Sequence, residues 1–487
     1  MNPARTMIVD LPGLDLTPEQ GRFLARAGFG GVCLFARNIT APERTARLVA
    51  DIRDALGHDA LIATDQEGGA VLRRLDVPQP PTPQALGRLD DVQAAREAGR
   101  IAARGLIELG INWNYAPSLD VNVDPHNPVI GERSFGADPH RVAELGVAWA
   151  QGSEEEGVLS AVKHFPGHGD TRTDSHLALP VVDKSRAELE AVEWYPFRRA
   201  VAAGVGSVMT AHILYPQVDA GHPATLSPAL LHDLLRREWG YGGVIVTDAM
   251  DMRAVADRHP DGHGAALALN AGADAVLVCG HGDLEIHVRH RAAIGRALQA
   301  GELPPARVEE AVERLAQAAR RFPGTPRPYP AAQRQLDEAC VDRIAGRSLE
   351  RHGRLPPIGR DEMVVLVARG QPEVGGPYGD SLGGEALAQA LRSTFPRLQP
   401  ALHDGRDLSA VHALLAGAPD APVLLATAER WDAGEAVRLL ARRLGGRRAV
   451  HLALWNPDLA AELGLPARIT HGFRPAQLRA LASALAE

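Results

Sequence analysis

Between Lys163 and His176 the chain gathers three histidines, one lysine, one arginine and two aspartates within fourteen positions, directly after the apolar run Val158-Leu159-Ser160-Ala161-Val162. So many groups that titrate or carry charge make poor core and suit a reaction site on a loop leaving a buried strand. Pro166, Gly167 and Gly169 keep the segment from running on as a helix. Asp174 and His176 stand two apart, close enough for a carboxylate to orient an imidazole and stabilise its protonated form. A histidine held in this way can give and take a proton near neutrality, since its ordinary pKa is about 6.5. The competing reading is a surface Asx turn beside a solvent-facing histidine.

A further carboxylate, Asp248, ends the apolar run Val244-Ile245-Val246 within Val-Thr-Asp-Ala-Met-Asp-Met (246–252). An ionised aspartate at a buried strand end must be compensated by hydrogen bonds or cations. It reads either as a carboxylate nucleophile or as the cap of the next helix. A nucleophilic carboxylate opposite a proton donor is the pair that cleaves a glycosidic bond through a covalent intermediate. His164, His168, Asp170, Asp174 and His176 also supply atoms that zinc accepts, so a metal-dependent amidohydrolase is a reading from another class. Pro166 and Gly167 deny His164 and His168 the helix on which such a pair binds metal most readily. No His-Glu-x-x-His occurs and no cysteine is near, so no metal and no other cofactor is expected. Arg73, Arg133 and Lys163 lie near three predicted strand ends, and with Asp65 and His164 they could hold sugar hydroxyls in a polar pocket. Taken singly, each cation reads as ordinary surface charge.

The elements that must bring these groups together alternate. Predicted strands over 7–11, 31–37, 61–65, 112–121, 158–164, 207–214, 243–248 and 274–279 are separated by amphipathic segments over 17–27, 41–56, 92–109, 139–156, 185–203 and 227–239. Eight strand–helix units in residues 1–325 predict a closed (β/α)8 barrel, in which strand C-terminal ends converge on one face. An open doubly wound sheet would carry a glycine-rich phosphate turn after its first strand, and only Pro12-Gly13 stands there. Pro and Gly in 322–330 mark a linker, and a helix over 331–350 completes a connecting region, 326–360. Residues 361–487 predict a smaller α/β sandwich domain, with strands over 363–368, 423–428 and 449–455, helices over 386–393, 433–444 and 476–486, and no dense polar cluster.

At 487 residues, two domains are expected, and 45% hydrophobic with 23% charged residues is ordinary for a globular chain. A formal net charge of −8 gives no reason to expect nucleic acid or an anionic membrane as partner. Cys33, Cys279 and Cys340 lie far apart in apolar or helical context, which suits buried thiols in a reducing compartment. The start of the chain has no apolar run of signal-peptide length, and no stretch approaches the ~18 apolar residues of a membrane span, so the expected location is the cytoplasm.

Four stretches together resemble the β-N-acetylglucosaminidase branch of family 3 glycoside hydrolases. They are Thr-Asp-Gln-Glu-Gly-Gly (64–69), Asn-Pro-Val-Ile-Gly-Glu-Arg-Ser-Phe (127–135), Lys-His-Phe-Pro-Gly-His-Gly-Asp-Thr-Arg-Thr-Asp-Ser-His (163–176) and Val-Thr-Asp-Ala-Met-Asp-Met (246–252). The resemblance spans most of the first 325 residues in the family's order. It implies a barrel, a two-step retaining mechanism without metal, and a small carbohydrate substrate bearing N-acetylglucosamine, typically a peptidoglycan fragment. By the same resemblance Asp248 matches the nucleophile, His176 the acid/base and Asp174 the carboxylate orienting it. Asp65, Arg73, Arg133, Lys163 and His164 match positions that grip the terminal sugar. A neutral base repels an anionic acceptor less than a carboxylate does, so a phosphorylase is the nearest alternative, followed by a broader β-glycosidase. Two positions depart from the pattern: Ala70 stands where the family often has arginine, and Asp251 adds a carboxylate three residues beyond Asp248.

Overall fold

The computed structural model describes residues 2–175, 177–371, 378 and 381–486. Eight parallel strands form the first sheet: β1 (Met7–Asp10), β2 (Gly31–Cys33), β3 (Leu61–Thr64), β4 (Trp113–Asn114), β5 (Leu159–Phe165), β6 (Ser207–Thr210), β7 (Val244–Val246) and β8 (Val276–Val278). Their order around the sheet is β7-β6-β5-β4-β3-β2-β1-β8, and a parallel bridge from Val246 to Ala275 joins its two ends. This is the expected barrel, with every neighbouring pair parallel.

The period-2 geometry of a strand divides its side chains between two cores. Met7 and Val9 pack outward under the helices, whereas Ile8 joins Cys33, Leu61, Ala63, Leu159 and Ala161 inside the barrel. Two elements differ from the predicted ones. The strand expected over 112–121 keeps ladder pairing only at Trp113–Asn114, because Pro117 has no N–H to donate; contact resumes as a bridge between Ser118 and Lys163. The helix expected over 185–203 is two, Arg186–Ala191 and Trp194–Ala202.

Beyond helix Ala331–Ser348 a second sheet holds β9 (Glu350–His352), β10 (Val364–Arg369), β11 (Leu398–His403), β12 (Val423–Thr427), β13 (Ala449–Ala453) and β14 (Ala467–Ile469). Its order is β9-β14-β13-β12-β10-β11, with β9 antiparallel and the rest parallel. Three of these strands were not predicted. Leu398–His403 and Ala467–Ile469 carry Pro400 and Arg468, which break the apolar run a buried strand normally shows, and Glu350–His352 is wholly polar. Val364, Leu366 and Ala368 face one core while Val365 and Val367 face another, so helices cover both sides.

The second domain sits on the barrel beside its catalytic-type face. The hairpin of Gln66–Gly68 and Val71–Leu72 follows β3 and sends Ala70 and Val71 into the second domain's core. At its turn Gly68 and Gly69 have φ of 121° and 58°, a region closed to most side chains. Arg474 donates to Gly69 O at 2.6 Å and Thr82 to His471 O at 2.5 Å, which fastens the hairpin region to the second domain.

Candidate active site

Strand alternation explains which polar side chains enter the barrel mouth. Leu61 and Ala63 point inward, and two positions on comes Asp65. The same step leads from Leu159 and Ala161 to Lys163, and from Val244 and Val246 to Asp248. All three line a cavity of about 1220 Å³, its open mouth included, at the C-terminal ends of the strands. Arg73, Arg133 and His164 line it as well. Six of the eight residues singled out from sequence are therefore brought together here.

The cations and carboxylates form a chain of buried pairs. Lys163 Nζ lies 2.9 Å from Asp65 and 2.6 Å from Glu67. Arg73 donates to Asp65 at 3.2 Å, and Arg133 grips Glu67 through two bonds of 2.9 and 2.8 Å. Burial works to raise the Glu67 carboxyl, but Arg133 and Lys163 outweigh it and hold it at about 2. Burial likewise opposes ionisation of Asp65, which Lys163 and Arg73 nonetheless keep below the usual carboxylate range. Lys163 is pushed down by burial and up more strongly by Asp65 and Glu67, so it stays charged. Removing one member would leave an uncompensated buried charge.

Beside this chain stands Asp120, buried beyond the end of β4. Its carboxylate accepts from Ser118 Oγ at 2.8 Å and from the His164 and His168 backbone amides at 3.2 and 2.6 Å, and it meets His164 Nδ1 at 2.6 Å. Burial opposes its ionisation, yet His164 and the other donors hold its pKa far below normal. The other nitrogen of His164, Nε2, faces Arg133 at 3.2 Å and so accepts, leaving the proton on Nδ1. With Nδ1 on Asp120 and Nε2 on Arg133, neither nitrogen of His164 is left for a metal ion. Among the described residues no three His, Cys, Asp or Glu side chains are grouped to hold a metal ion.

The loop after β5 is pinned from several sides. Gly169 passes so close to the chain after β4 that an added Cβ would lie 1.7 Å from Val121 O. Asn127 donates to His168 O at 2.7 Å, and His168 joins Thr171 at 2.7 Å and Ser175 at 3.1 Å. Burial lowers the His168 pKa to about 4, so its ring is neutral. Ser175 is buried and lines the cavity; Asp174, half-buried, closes a turn through its carbonyl, which accepts from Leu177 at 2.9 Å. His176 lies outside the described residues.

Just beyond β7 Asp248 accepts from the Ala249 amide at 2.8 Å, and His212 donates from Nε2 to Ala249 O at 2.9 Å, fixing that turn. Asp251 also lines the cavity, but its oxygens meet the Cys279 amide and His281 Nε2, each at 3.0 Å. Sequence reasoning missed Glu67, Asp120 and Tyr378. Glu67 sat inside a quoted motif, and Asp120 followed an apolar segment as Asp65 does. Tyr378 comes from the second domain, lines the cavity and donates to Val129 O at 2.8 Å, with no local signal to announce it.

A barrel with a polar, charge-paired mouth at its strand ends defines the class of (β/α)8 enzymes that bind polar ligands there. Residues 8–318 match the glycosyl hydrolase family 3 N terminal domain, and the chain belongs to that family. It is similar over its whole length to a glycoside hydrolase family 3 beta-N-acetylglucosaminidase from Paenibacillus sp. str. FPU-7, with a TM-score of 0.91 and 31% identity, covering 96% of that chain. It is 36% identical over 339 residues to Beta-hexosaminidase A of Pseudoalteromonas piscicida, covering 63% of this chain and just over half, 56%, of that relative. A Beta-hexosaminidase of Neisseria meningitidis serogroup C is 37% identical over 295 residues, covering 59% of this chain and 81% of that protein. Among the described residues no helix is long and apolar enough to cross a membrane.

Proposed function

We propose that the protein is a retaining exo-β-N-acetylglucosaminidase, acting on glycosides that end in β-linked N-acetylglucosamine, muropeptides among them. Asp248 attacks the anomeric carbon while His176, oriented by Asp174, gives its proton to the departing oxygen, so the glycosidic bond breaks as a glycosyl–aspartate ester forms. His176, now neutral, takes a proton from water; the water oxygen attacks the same carbon, the ester breaks, and the sugar leaves with net retention. Asp65, Arg73, Arg133, Lys163 and His164 hold the sugar's hydroxyls.

One observation carries this reading: Asp248 and Ser175, the residue before His176, line the same cavity as the charge-paired cluster around Lys163. The names of the relatives support the choice of sugar. Asp248 is preferred to Asp251 as nucleophile because it ends β7 directly, two positions beyond the inward-facing Val246. The test is a nitrophenyl-glycoside panel, N-acetylglucosamine against glucose and xylose, run with and without phosphate. A 2-deoxy-2-fluoro glycoside then serves to trap the intermediate. N-acetylglucosaminide turnover without phosphate and an adduct on Asp248 are expected, both lost in Asp248→Asn. A requirement for phosphate, or an adduct on Asp251, overturns the assignment.

A further inference from the structure

The loop that leaves β5 is cross-linked at its neck. Asp170 on the outgoing arm and Lys184 on the returning arm meet at 2.7 Å, fourteen positions apart in the chain, and Asp174, Ser175 and His176 lie between them. The same ammonium donates at 2.5 Å to Glu193, a buried residue just before the helix Trp194–Ala202. Lys184 thus joins one carboxylate on the loop to another on the fixed scaffold.

Other bonds bring both arms to one short segment. Tyr215 donates its hydroxyl to Gly167 O on the outgoing arm. One residue earlier, Leu214 accepts from the Val182 amide and donates to Pro180 O on the returning arm, each at 2.9 Å. These contacts use backbone groups of the loop, which many side chains would permit. The direct link between the arms depends on the Lys184 side chain. Burial works to lower the Lys184 pKa, but Asp170 and Glu193 outweigh it and keep the ammonium charged. A loop closed at its neck has fewer conformations to lose when the groups it carries must take up one geometry.

We propose that Lys184 is a positioning residue for proton transfer, fastening the loop that carries Asp174 to the buried Glu193 by way of Asp170. The proposal rests on the function given above, because it takes His176 on that loop to be the proton donor. Lys184 touches neither the sugar nor the reacting atoms; it acts through the loop alone.

The full-length protein provides the test. Asp170→Ala removes the loop's half of the cross-link and leaves Lys184 on Glu193; Lys184→Met removes both contacts, and Lys184→Arg restores a cation. In Asp170→Ala and Lys184→Met, kcat/KM for chitobiose, whose departing sugar needs a proton, should fall about tenfold or more. For a dinitrophenyl N-acetylglucosaminide it should fall less than about threefold, and Lys184→Arg should recover most of the chitobiose rate. Equal losses on the two substrates, or wild-type rates in Asp170→Ala, overturn the positioning role. Should Lys184→Met fail to fold with Glu193 left uncompensated, Asp170→Ala and Lys184→Arg decide the matter. Trypsin supplies a readout that needs no activity: cleavage after the exposed Arg172, followed by mass spectrometry, should quicken about tenfold in Asp170→Ala. Cleavage at the wild-type rate overturns the cross-link. Failure of the wild type to hydrolyse either glycoside instead counts against the proposed function, and the tryptic rate still decides whether Lys184 closes the neck.

Discussion

Asp120 and His164 meet at 2.6 Å, and the far side of the same imidazole faces Arg133 at 3.2 Å. A carboxylate on one nitrogen and a guanidinium donor on the other leave the ring one tautomer, with its proton on Nδ1. That fixes the direction in which His164 presents its ring edge to the cavity.

Asp120→Asn should therefore disturb the site more than the fold. The amide can still accept from the backbone, but turned so that its N–H meets Nδ1, it moves the ring proton to Nε2, against Arg133. We expect roughly a tenfold or greater loss in kcat/KM for an aryl N-acetylglucosaminide, with a much smaller change in urea midpoint. Asp120→Ala strips partners from two buried amides and an imidazole and should cost about 3–5 kcal/mol. Asparagine behaving like wild type in kinetics would contradict the tautomer argument.

Acid sensitivity should trace to Glu67. Burial raises its pKa and the pairing with Arg133 and Lys163 lowers it further, to about 2 against an ordinary 4.5. The folded state then binds fewer protons than the unfolded one between those values. The stabilisation is complete above pH 4.5 and disappears as pH falls through 2, and it amounts to about 3 kcal/mol. Urea unfolding at pH 6, 4 and 3 should show the wild type losing stability more steeply than Glu67→Gln. Parallel declines in the two proteins would refute it.

Glu132 should act with the opposite sign. Burial raises its carboxyl to about 7, and Trp455 and Arg430 offset only part of that. The folded state holds the extra proton between pH 4.5 and 7, so stability is complete at the acid end and declines as pH rises. Glu132→Gln should gain about 3 kcal/mol relative to wild type on going from pH 4 to pH 8. A difference that does not change with pH would show that Glu132 ionises normally.

His176→Ala should separate substrates by leaving group. A glycoside whose leaving group needs a proton should lose ~10²–10⁴-fold in rate, whereas a dinitrophenyl glycoside should keep most of its first step. Equal losses on both would remove His176 from the acid role.

How legible the site was follows from the range of each signal. Asp65, Lys163 and Asp248 could be read because each continues the inward alternation of a buried strand, a local pattern of period two. Barrel closure then follows from eight such units, since parallel strands linked by helices have few other ways to bury both faces. Glu67 and Asp120 are a different matter. Their sequence neighbourhoods resemble many polar loop segments, and their importance lies in partners 66 and 44 positions away, Arg133 and His164.

The sequence by itself determined the strand period, the helical spacing and the chemical groups at each strand's end, because these depend on neighbours within a few residues. Only the tertiary structure decided which charges pair, which tautomer His164 holds, and that Tyr378 from a separate domain walls the cavity. Those outcomes depend on distances across the fold and on the removal of water, and no local run of residues encodes either.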